Sequence, residues 1–374
     1  MRIESFTCWT VEVDRTPAFI WRNGLPVSNS DTPPGSRPRS AVIRMDTDEG
    51  VFGAVMKPNG DAIFDLVRRR YNHFIGEDPL LTEKLWNQVW EVDRLEEIGV
   101  RALGILDVLC WDVKSKKAQM PIYQMLGGYN RKVPAYASTV TWPTLGEYER
   151  YIKQCKDLGF KAFKLHAWGD VARDKELSVK LREWVGPDAD LMFDGSAGWD
   201  YVDALEVGKV LQDVGFLWFE EPMREFYLGS YRKLTEKLDI PILAAETSDG
   251  AHWNVASWIE DSALDMTRVS TEFKGGFTGA MKIAHTSESF GMRAQVHGSG
   301  HENAQLCAAI SNNDYYEQLV INEDQINGLS NQGELSVIDG VLTVRDKPGI
   351  GYEFDFDELD RVALQKVQVT ERWT

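Results

Sequence analysis

Six polar side chains recur at nearly constant spacing between residues 166 and 297, each at the end of a short apolar run. They are His166, Asp194, Glu220, Glu246, Ser270 and His297, and the gaps between them are 28, 26, 26, 24 and 27 residues. One strand with the helix that follows it needs about this length. The carboxyl ends of parallel strands meet at one face of a barrel, so the spacing predicts that these six side chains lie together.

The residues between these positions alternate between apolar strands and amphipathic helices. Strands such as 163–166 and 191–194 are separated by predicted helices such as 171–185 and 201–214. Repeated units of this kind predict a parallel sheet covered by helices. No GxGxxG motif follows a strand and no GxxxxGK[ST] motif occurs, which argues against a nucleotide-binding doubly wound sheet. The number of units favours a barrel over an open sheet.

The first third of the chain predicts a mixed α+β region instead. Its strands are expected within 1–14 and 40–56, and its helices over 60–72, 82–97 and 99–117. Residues 15–39 between the strands are rich in Pro, Gly, Ser and Asn, but they include the apolar run Phe19, Ile20 and Trp21. A loop of this length in a compact domain is usually a functional lid or a disordered insert, and the apolar centre favours a lid.

Charge and cysteine content narrow the class of protein. The chain has 41 basic and 58 acidic residues, and this negative field disfavours nucleic-acid and membrane partners. No apolar run approaches the ~18 residues of a membrane span, and the first residues lack the layout of a signal peptide. Four scattered cysteines without a CxxC pair are typical of reduced thiols. We therefore expect a cytoplasmic globular protein.

Three carboxylates at consecutive strand ends predict a metal site. Asp194, Glu220 and Glu246 cannot all remain ionised side by side unless a cation neutralises them. Ligation by oxygen alone suits Mg²⁺, which keeps positions open for water and substrate. Any one of these acids alone could instead cap a helix or pair with an arginine, but the set favours Mg²⁺.

Lys164 and His166 lie two residues apart on one predicted strand, so both point to the same side of it. A lysine inside a barrel is costly unless it meets an anion, such as the carboxylate of a small-molecule substrate. His297 approaches from the opposite side of the barrel. A histidine at this position is predicted to exchange protons with the substrate.

Two other interpretations account for less of the pattern. His297 and His301 are four residues apart, as in helical zinc sites, but the HGSGH segment is too rich in glycine for a helix there. The adjacent acids Glu220 and Glu221 could be the paired carboxylates of a barrel glycosidase. That interpretation leaves the two other strand-end acids and the buried lysine without a role.

At these positions the chain resembles the mandelate racemase branch of the enolase superfamily, over nearly its whole length. Two segments carry the resemblance: residues 101–128 resemble the helix-to-linker segment that ends the family's capping domain, and residues 273–285 resemble its Gly-Gly-[IF]-Thr segment. Lys164-x-His166 takes the position of the family's Lys-x-Lys pair, and its three Mg²⁺ ligands are matched by Asp194, Glu220 and Glu246. His297 matches the seventh-strand base, and Glu317 matches an eighth-strand acid that hydrogen-bonds substrate in some members.

The resemblance implies an α/β fold, a modified (β/α)₇β TIM barrel with an N-terminal α+β capping domain. The expected capping domain is 1–128 with a C-terminal return over 331–374, and the expected catalytic barrel is 129–330. The 15–39 loop matches the family's specificity lid, where Trp21, Arg22 and Asn23 are candidate substrate contacts. The resemblance also implies a homo-oligomer.

Two positions depart from the family pattern. His166 stands where the second lysine is usual, so it could be a second base, an acid or a hydroxyl-binding group. Ser270 stands where an aspartate usually orients the seventh-strand histidine, and it offers no charge to an imidazolium. His297 is therefore expected to be a weaker base or to find another carboxylate; Glu272 is close in sequence, but strand alternation does not place it.

The activity that the resemblance implies is a Mg²⁺-dependent dehydratase. It would remove the α-proton of an acid sugar and eliminate the 3-hydroxyl to give a 2-keto-3-deoxy acid. One alternative is a racemase or epimerase of a 2-hydroxy acid on the same scaffold. A second alternative, favoured by the serine at position 270, is a non-catalytic protein that binds sugar acids.

Overall fold

A computed structural model describes residues 1–14, 37–96 and 98–372, and an antiparallel sheet lies at the beginning of the chain. Its strands are β1 (Ile3–Glu12), β2 (Arg39–Thr47), β3 (Phe52–Pro58) and β14 (Gln365–Val369), in the order β14-β1-β2-β3. Cys8 pairs with Ile43 on one side and with Val367 on the other, so the end of the chain completes the sheet formed by its beginning.

Five helices follow this sheet in the described part of the chain. They are α1 (Gly60–Arg70), α2 (Thr82–Glu96), α3 (Val100–Leu103), α4 (Ile105–Ala118) and α5 (Ile122–Met125). The helix predicted over 99–117 is interrupted at Gly104, which separates α3 from α4. A Cβ atom on Gly104 would lie 2.6 Å from the Cα of Gly275, so this contact with the barrel requires glycine.

Eight parallel strands then form the barrel. They are β4 (Lys132–Thr139), β5 (Ala162–His166), β6 (Asp190–Asp194), β7 (Trp218–Glu220), β8 (Ile242–Ala244), β9 (Met266–Val269), β10 (Ala294–Val296) and β11 (Tyr316–Val320). Consecutive strands from β4 to β10 pair in parallel, and β11 pairs with β4. Between β10 and β11, Val296 N donates to Asn313 Oδ1 at 2.9 Å.

Seven helices in the described residues alternate with these strands, which confirms the (β/α)₇β architecture. They are α6 (Leu145–Asp157), α7 (Val171–Val185), α8 (Tyr201–Val214), α9 (Leu228–Thr235), α10 (Ala251–Glu260), α11 (Gly276–Ser289) and α12 (His301–Ala309). Residues at the helix termini determine where two of these helices begin or end. Thr144 and Glu147 form a capping box at the start of α6, and Gly215 ends α8 in the left-handed region, as its sequence predicts.

The C-terminal segment contacts both sheets. After α13 (Glu323–Asn327), strands β12 (Val337–Ile338) and β13 (Val341–Thr343) form a hairpin, and β13 pairs with the barrel strand β4. Helix α14 (Phe356–Val362) then leads to β14 in the first sheet. The division into a capping domain of 1–128 plus 331–374 and a barrel of 129–330 stays a prediction.

Two further features concern the cysteines and membrane spans. The four cysteines are buried and free of disulfides. Among the described residues, no helix is both long enough and apolar enough to cross a bilayer.

Asp107 connects the helices beside the first sheet to the barrel. This α4 residue accepts hydrogen bonds from the backbone N–H of Thr278 at 3.0 Å and from its hydroxyl at 2.5 Å, in the first turn of α11. Trp111, one turn later on α4, donates to the same hydroxyl at 3.0 Å. Burial raises the pKa of the Asp107 carboxyl to about 7, against the lowering effect of these hydrogen bonds.

The raised pKa of Asp107 predicts a specific pH dependence of stability. Since its unfolded-state pKa is about 4, the folded protein binds more protons between pH ~4 and ~7, and the free energy of unfolding falls as pH rises through that interval. Urea unfolding at several pH values should show this slope reduced in Asp107→Asn, whose side chain stays neutral. An identical slope in both proteins would contradict the assignment.

Candidate active site

Strand register brings the predicted residues to one end of the barrel. His166 is the register partner of Asp194 on the neighbouring strand, and Asp194 is the partner of Glu220 on the next one. Glu246 follows β8 by two residues, and His297 directly follows β10. The strand-end spacing therefore did correspond to one face of the barrel.

Lys164 lies beneath this face, with no exposed surface. Its ammonium is 2.9 Å from Glu220 Oε2, 2.9 Å from Glu317 Oε1 and 3.4 Å from Asp194 Oδ2. Burial and the neighbouring Arg268 would lower the pKa of Lys164, but the surrounding carboxylates hold it well above its ordinary value. The buried lysine is therefore a permanent cation that the acids share.

The two histidines contact different acids. His166 Nε2 lies 3.2 Å from Asp194 Oδ2, whereas His297 Nδ1 lies 3.1 Å from Glu246 Oε2 and 3.4 Å from Glu317 Oε2. Burial opposes protonation of His297, but these carboxylates raise its pKa above the ordinary value. The side chain of His297 is 27% exposed, so it reaches the open side of the site.

Arg268 is a site residue that the sequence analysis did not single out. It is fully buried, with Nε 2.7 Å from Glu220 Oε1 and 3.6 Å from Glu246 Oε2, and Nη2 2.7 Å from Glu317 Oε2. Its position on β9, two residues before Ser270, was the available signal. Alternation on a strand puts both side chains on one face, and an arginine in a short barrel strand needs an anion.

Glu317 is engaged on both oxygens. Ser138 Oγ donates to Oε1 at 2.8 Å, and the backbone N–H of Gly298 donates to Oε2 at 2.6 Å, in addition to the contacts with Lys164 and Arg268. Although burial opposes ionisation, these cations hold the pKa of Glu317 well below its ordinary value. Glu317 is thus a fixed anion, and its predicted contact with substrate stays a prediction.

Ser270 and Glu272 do not orient His297. Ser270 Oγ accepts a hydrogen bond from the Phe273 backbone N–H at 3.0 Å, and Glu272 pairs with Arg101 at 2.7 Å. Glu246 and Glu317 instead place carboxylate oxygens against the imidazole. A carboxylate therefore still accompanies this histidine, although it comes from other strands.

The backbone at the site adopts conformations that are uncommon for residues with a Cβ atom. Glu221 has a φ of 36° and Ala245 a φ of 73°, each adjacent to one of the strand-end glutamates. Glu221 Oε1 accepts a hydrogen bond from the Glu246 backbone N–H at 2.9 Å, which joins the segment after β7 to the segment after β8. Burial, reinforced by the charge of Glu246, raises the pKa of Glu221 well above the ordinary value. Such strain is typical of functional sites.

The donor set fits a divalent cation. Oxygen atoms of Glu220 and Glu246 and a nitrogen of His297 lie within 4.8 Å of one another. Four contacting carboxylates (Asp194, Glu220, Glu246 and Glu317) face two permanent cations (Lys164 and Arg268), which leaves two negative charges when both histidines are neutral. Such a surplus in a buried site favours binding of a dication.

The remaining candidates divide between packing contacts and undescribed residues. His301 packs against the Tyr352 ring at 5.0 Å, and it is not part of the cluster of possible metal-binding atoms found in the described residues. Trp21, Arg22 and Asn23 lie outside the described residues, so their expected contact with substrate stays a prediction.

A (β/α)₇β barrel with acids, a buried lysine and two histidines at its carboxyl-end face defines a class of barrel enzymes. Residues 147–359, more than half of the chain, match the enolase C-terminal domain-like family. The chain belongs to this family, within the enolase superfamily.

Known relatives include both dehydratases and racemases. The chain is 29% identical to arabinonate dehydratase from Saccharolobus solfataricus over 74% of this chain and 76% of that protein. It is 23% identical to N-succinyl-L-Arg/Lys racemase from Bacillus cereus over 97% of this chain and 98% of that protein. Among solved structures, D-glucarate dehydratase from Agrobacterium tumefaciens, complexed with magnesium, matches with a TM-score of 0.86 and 29% identity, covering 98% of this chain and 99% of that one.

The contacts of His297 predict that Ser270 is dispensable for catalysis. Ser270→Ala should keep kcat/KM for the substrate within about threefold of wild type, because it removes only one hydrogen bond within a loop. Steady-state kinetics test this once a substrate is found. A loss of tenfold or more, without a change in folding, would mean that Ser270 acts on His297 after all.

Proposed function

We propose that this protein is a Mg²⁺-dependent dehydratase of an acid sugar, which yields a 2-keto-3-deoxy acid. The observation that carries the proposal is the buried cluster of four carboxylates with two surplus negative charges, open toward His297. The names of relatives support the substrate class, since they include arabinonate, D-glucarate and L-talarate/galactarate dehydratases.

We assign the metal to Asp194, Glu220 and Glu246, the matches to the family's three ligands. The possible metal-binding group found among the described residues supports Glu220 and Glu246, and it contains His297 where we assign Asp194. Mg²⁺ bound there would supply positive charge to the substrate carboxylate while the adjacent carbon loses its proton. Lys164, below these acids, adds a permanent positive charge to the same end of the site. Its three carboxylate contacts hold the ammonium in place, so its charge needs no rearrangement during the reaction.

We assign the proton transfers to the two histidines. His297 removes the α-proton from carbon 2, and its contacts with Glu246 and Glu317 stabilise the imidazolium that forms. The electron pair left behind forms the carbon 2–carbon 3 double bond as the 3-hydroxyl departs. His166 protonates this hydroxyl, so that water leaves, and the enol tautomerises to the 2-keto acid.

A racemase or epimerase is the second candidate, because His166 at the end of β5 and His297 just after β10 approach from different sides of the barrel. With bases on both sides of carbon 2, proton removal on one side and return on the other would invert the centre. The racemase among the relatives supports this candidate. A non-catalytic sugar-acid-binding protein, the alternative that Ser270 favoured, loses that support because Glu246 and Glu317 place carboxylates against His297.

One experiment separates these candidates. The purified protein with MgCl₂ is incubated in heavy water with mono- and dicarboxylic acid sugars, and α-proton exchange, configuration and keto-acid formation are measured. A dehydratase makes keto acid, a racemase exchanges and inverts without loss of water, and a binding protein does neither. Exchange with inversion and no keto acid would replace our proposal with the second candidate.

The metal assignment predicts the effect of neutralising one ligand. Glu246→Gln should weaken Mg²⁺ binding at least about tenfold, because it removes a unit charge from a buried site. Titration calorimetry with MgCl₂ on metal-stripped protein measures this. Glu206→Gln, the same substitution at an exposed acid on α8, is the matched control and should bind as wild type does. Full activity in excess chelator would contradict the assignment.

The histidine assignment predicts different losses at the two positions. His297→Asn should lower both the rate of α-proton exchange and the rate of turnover by about 10²–10⁴, because proton removal precedes every other step. His166→Asn should lose turnover by a similar factor but keep slow exchange. Exchange that survives in His297→Asn and vanishes in His166→Asn would reverse the roles. If His297→Asn loses Mg²⁺ binding instead, His297 is a metal ligand.

A further inference from the structure

The guanidinium of Arg268 lies in the interior of the barrel, where it touches acids from three strands. It contacts Glu220 at 2.7 Å and Glu317 at 2.7 Å, and it lies 3.6 Å from Glu246. Nη1 donates to the Val296 carbonyl at 3.0 Å, and Nη2 donates to the Tyr136 hydroxyl at 2.9 Å. Arg268 therefore joins two acids that we assign to the metal with one that we do not.

The charge of Arg268 matters because the site is closed to water at this depth. Arg268, Lys164 and Glu220 each have no exposed surface. Screening by solvent is weak for such groups, so a unit charge at a few ångströms changes the affinity for a dication strongly. With both histidines neutral, the four carboxylates, Lys164 and Arg268 together carry two negative charges; without Arg268 they would carry three.

We infer that Arg268 is a positioning residue that limits the affinity of the carboxylate cluster for Mg²⁺, by neutralising Glu220 and Glu317 from inside the barrel. This inference rests on the proposed metal site. The bound cation then meets a cluster of equal and opposite charge. The same contacts orient Glu317 toward Lys164 and His297.

A purely structural role makes the opposite prediction. If Arg268 only joined strands through Val296 and Tyr136, its loss would loosen the site and weaken metal binding. If its charge is what matters, its loss tightens metal binding even though the metal-free protein becomes less stable. The sign of the change in Mg²⁺ affinity therefore separates the two roles.

The test measures Mg²⁺ binding by titration calorimetry on metal-stripped protein, with MgCl₂ as the only ligand. Arg268→Gln should bind Mg²⁺ at least about tenfold more tightly than wild type, and Glu317→Gln at least about tenfold more weakly. The double variant restores the charge and should return to within about threefold of wild type. Arg268→Lys keeps the charge and should also bind within about threefold.

The control is Arg293→Gln, which removes an exposed arginine paired with Asp314 and should leave the affinity unchanged. Unchanged or weaker binding by folded Arg268→Gln overturns the inference. If that variant does not fold, Glu317→Gln and the double variant decide: weaker binding by Glu317→Gln with recovery in the double variant supports the inference, and equal affinities of the two overturn it. Wild-type protein that binds no Mg²⁺ contradicts the proposed function itself, whereas the variants bear on Arg268 alone.

Discussion

The site depends on one electrostatic constraint, which is that several carboxylates are buried together at the end of a barrel. Asp194, Glu220 and Glu317 contact a common ammonium group, that of Lys164. Burial raises the pKa of Glu220 despite the cations beside it, whereas the same surroundings keep Glu317 ionised. The difference arises because the charges of Asp194 and Glu246 add to the rise for Glu220, whereas His297 and the backbone N–H of Gly298 favour the charged form of Glu317.

The barrel supplies this constraint through strand register. Adjacent parallel strands place His166, Asp194 and Glu220 side by side, so no long loop is needed to bring them together. Lys164 on β5 and Arg268 on β9 precede His166 and Ser270 by two positions each. Alternation along these two strands thus points both cations into the barrel, where they contact the acids.

His297 has carboxylate partners although position 270 is a serine. With serine at position 270, the imidazole of His297 contacts Glu246 and Glu317, which also lie against the buried Arg268. One carboxylate can serve two partners here because the oxygens converge within a few ångströms. The protonation of His297 is therefore linked, through Glu246, to the groups that we assign to the metal.

The spacing of polar residues at strand ends was enough to predict the barrel, the convergence of Asp194, Glu220, Glu246 and His297, and the inward position of Lys164, because strand-end position and alternation are local properties. The interruption at Gly104, the role of Arg268 and the partners of His297 depended on tertiary structure. Gly104 is required by a contact with Gly275, distant in sequence, and Arg268 acquires its role from acids on three other strands. Sequence spacing determined which face each side chain occupies, whereas only the closed barrel decided which charges meet across it, since those distances depend on strands that are remote along the chain.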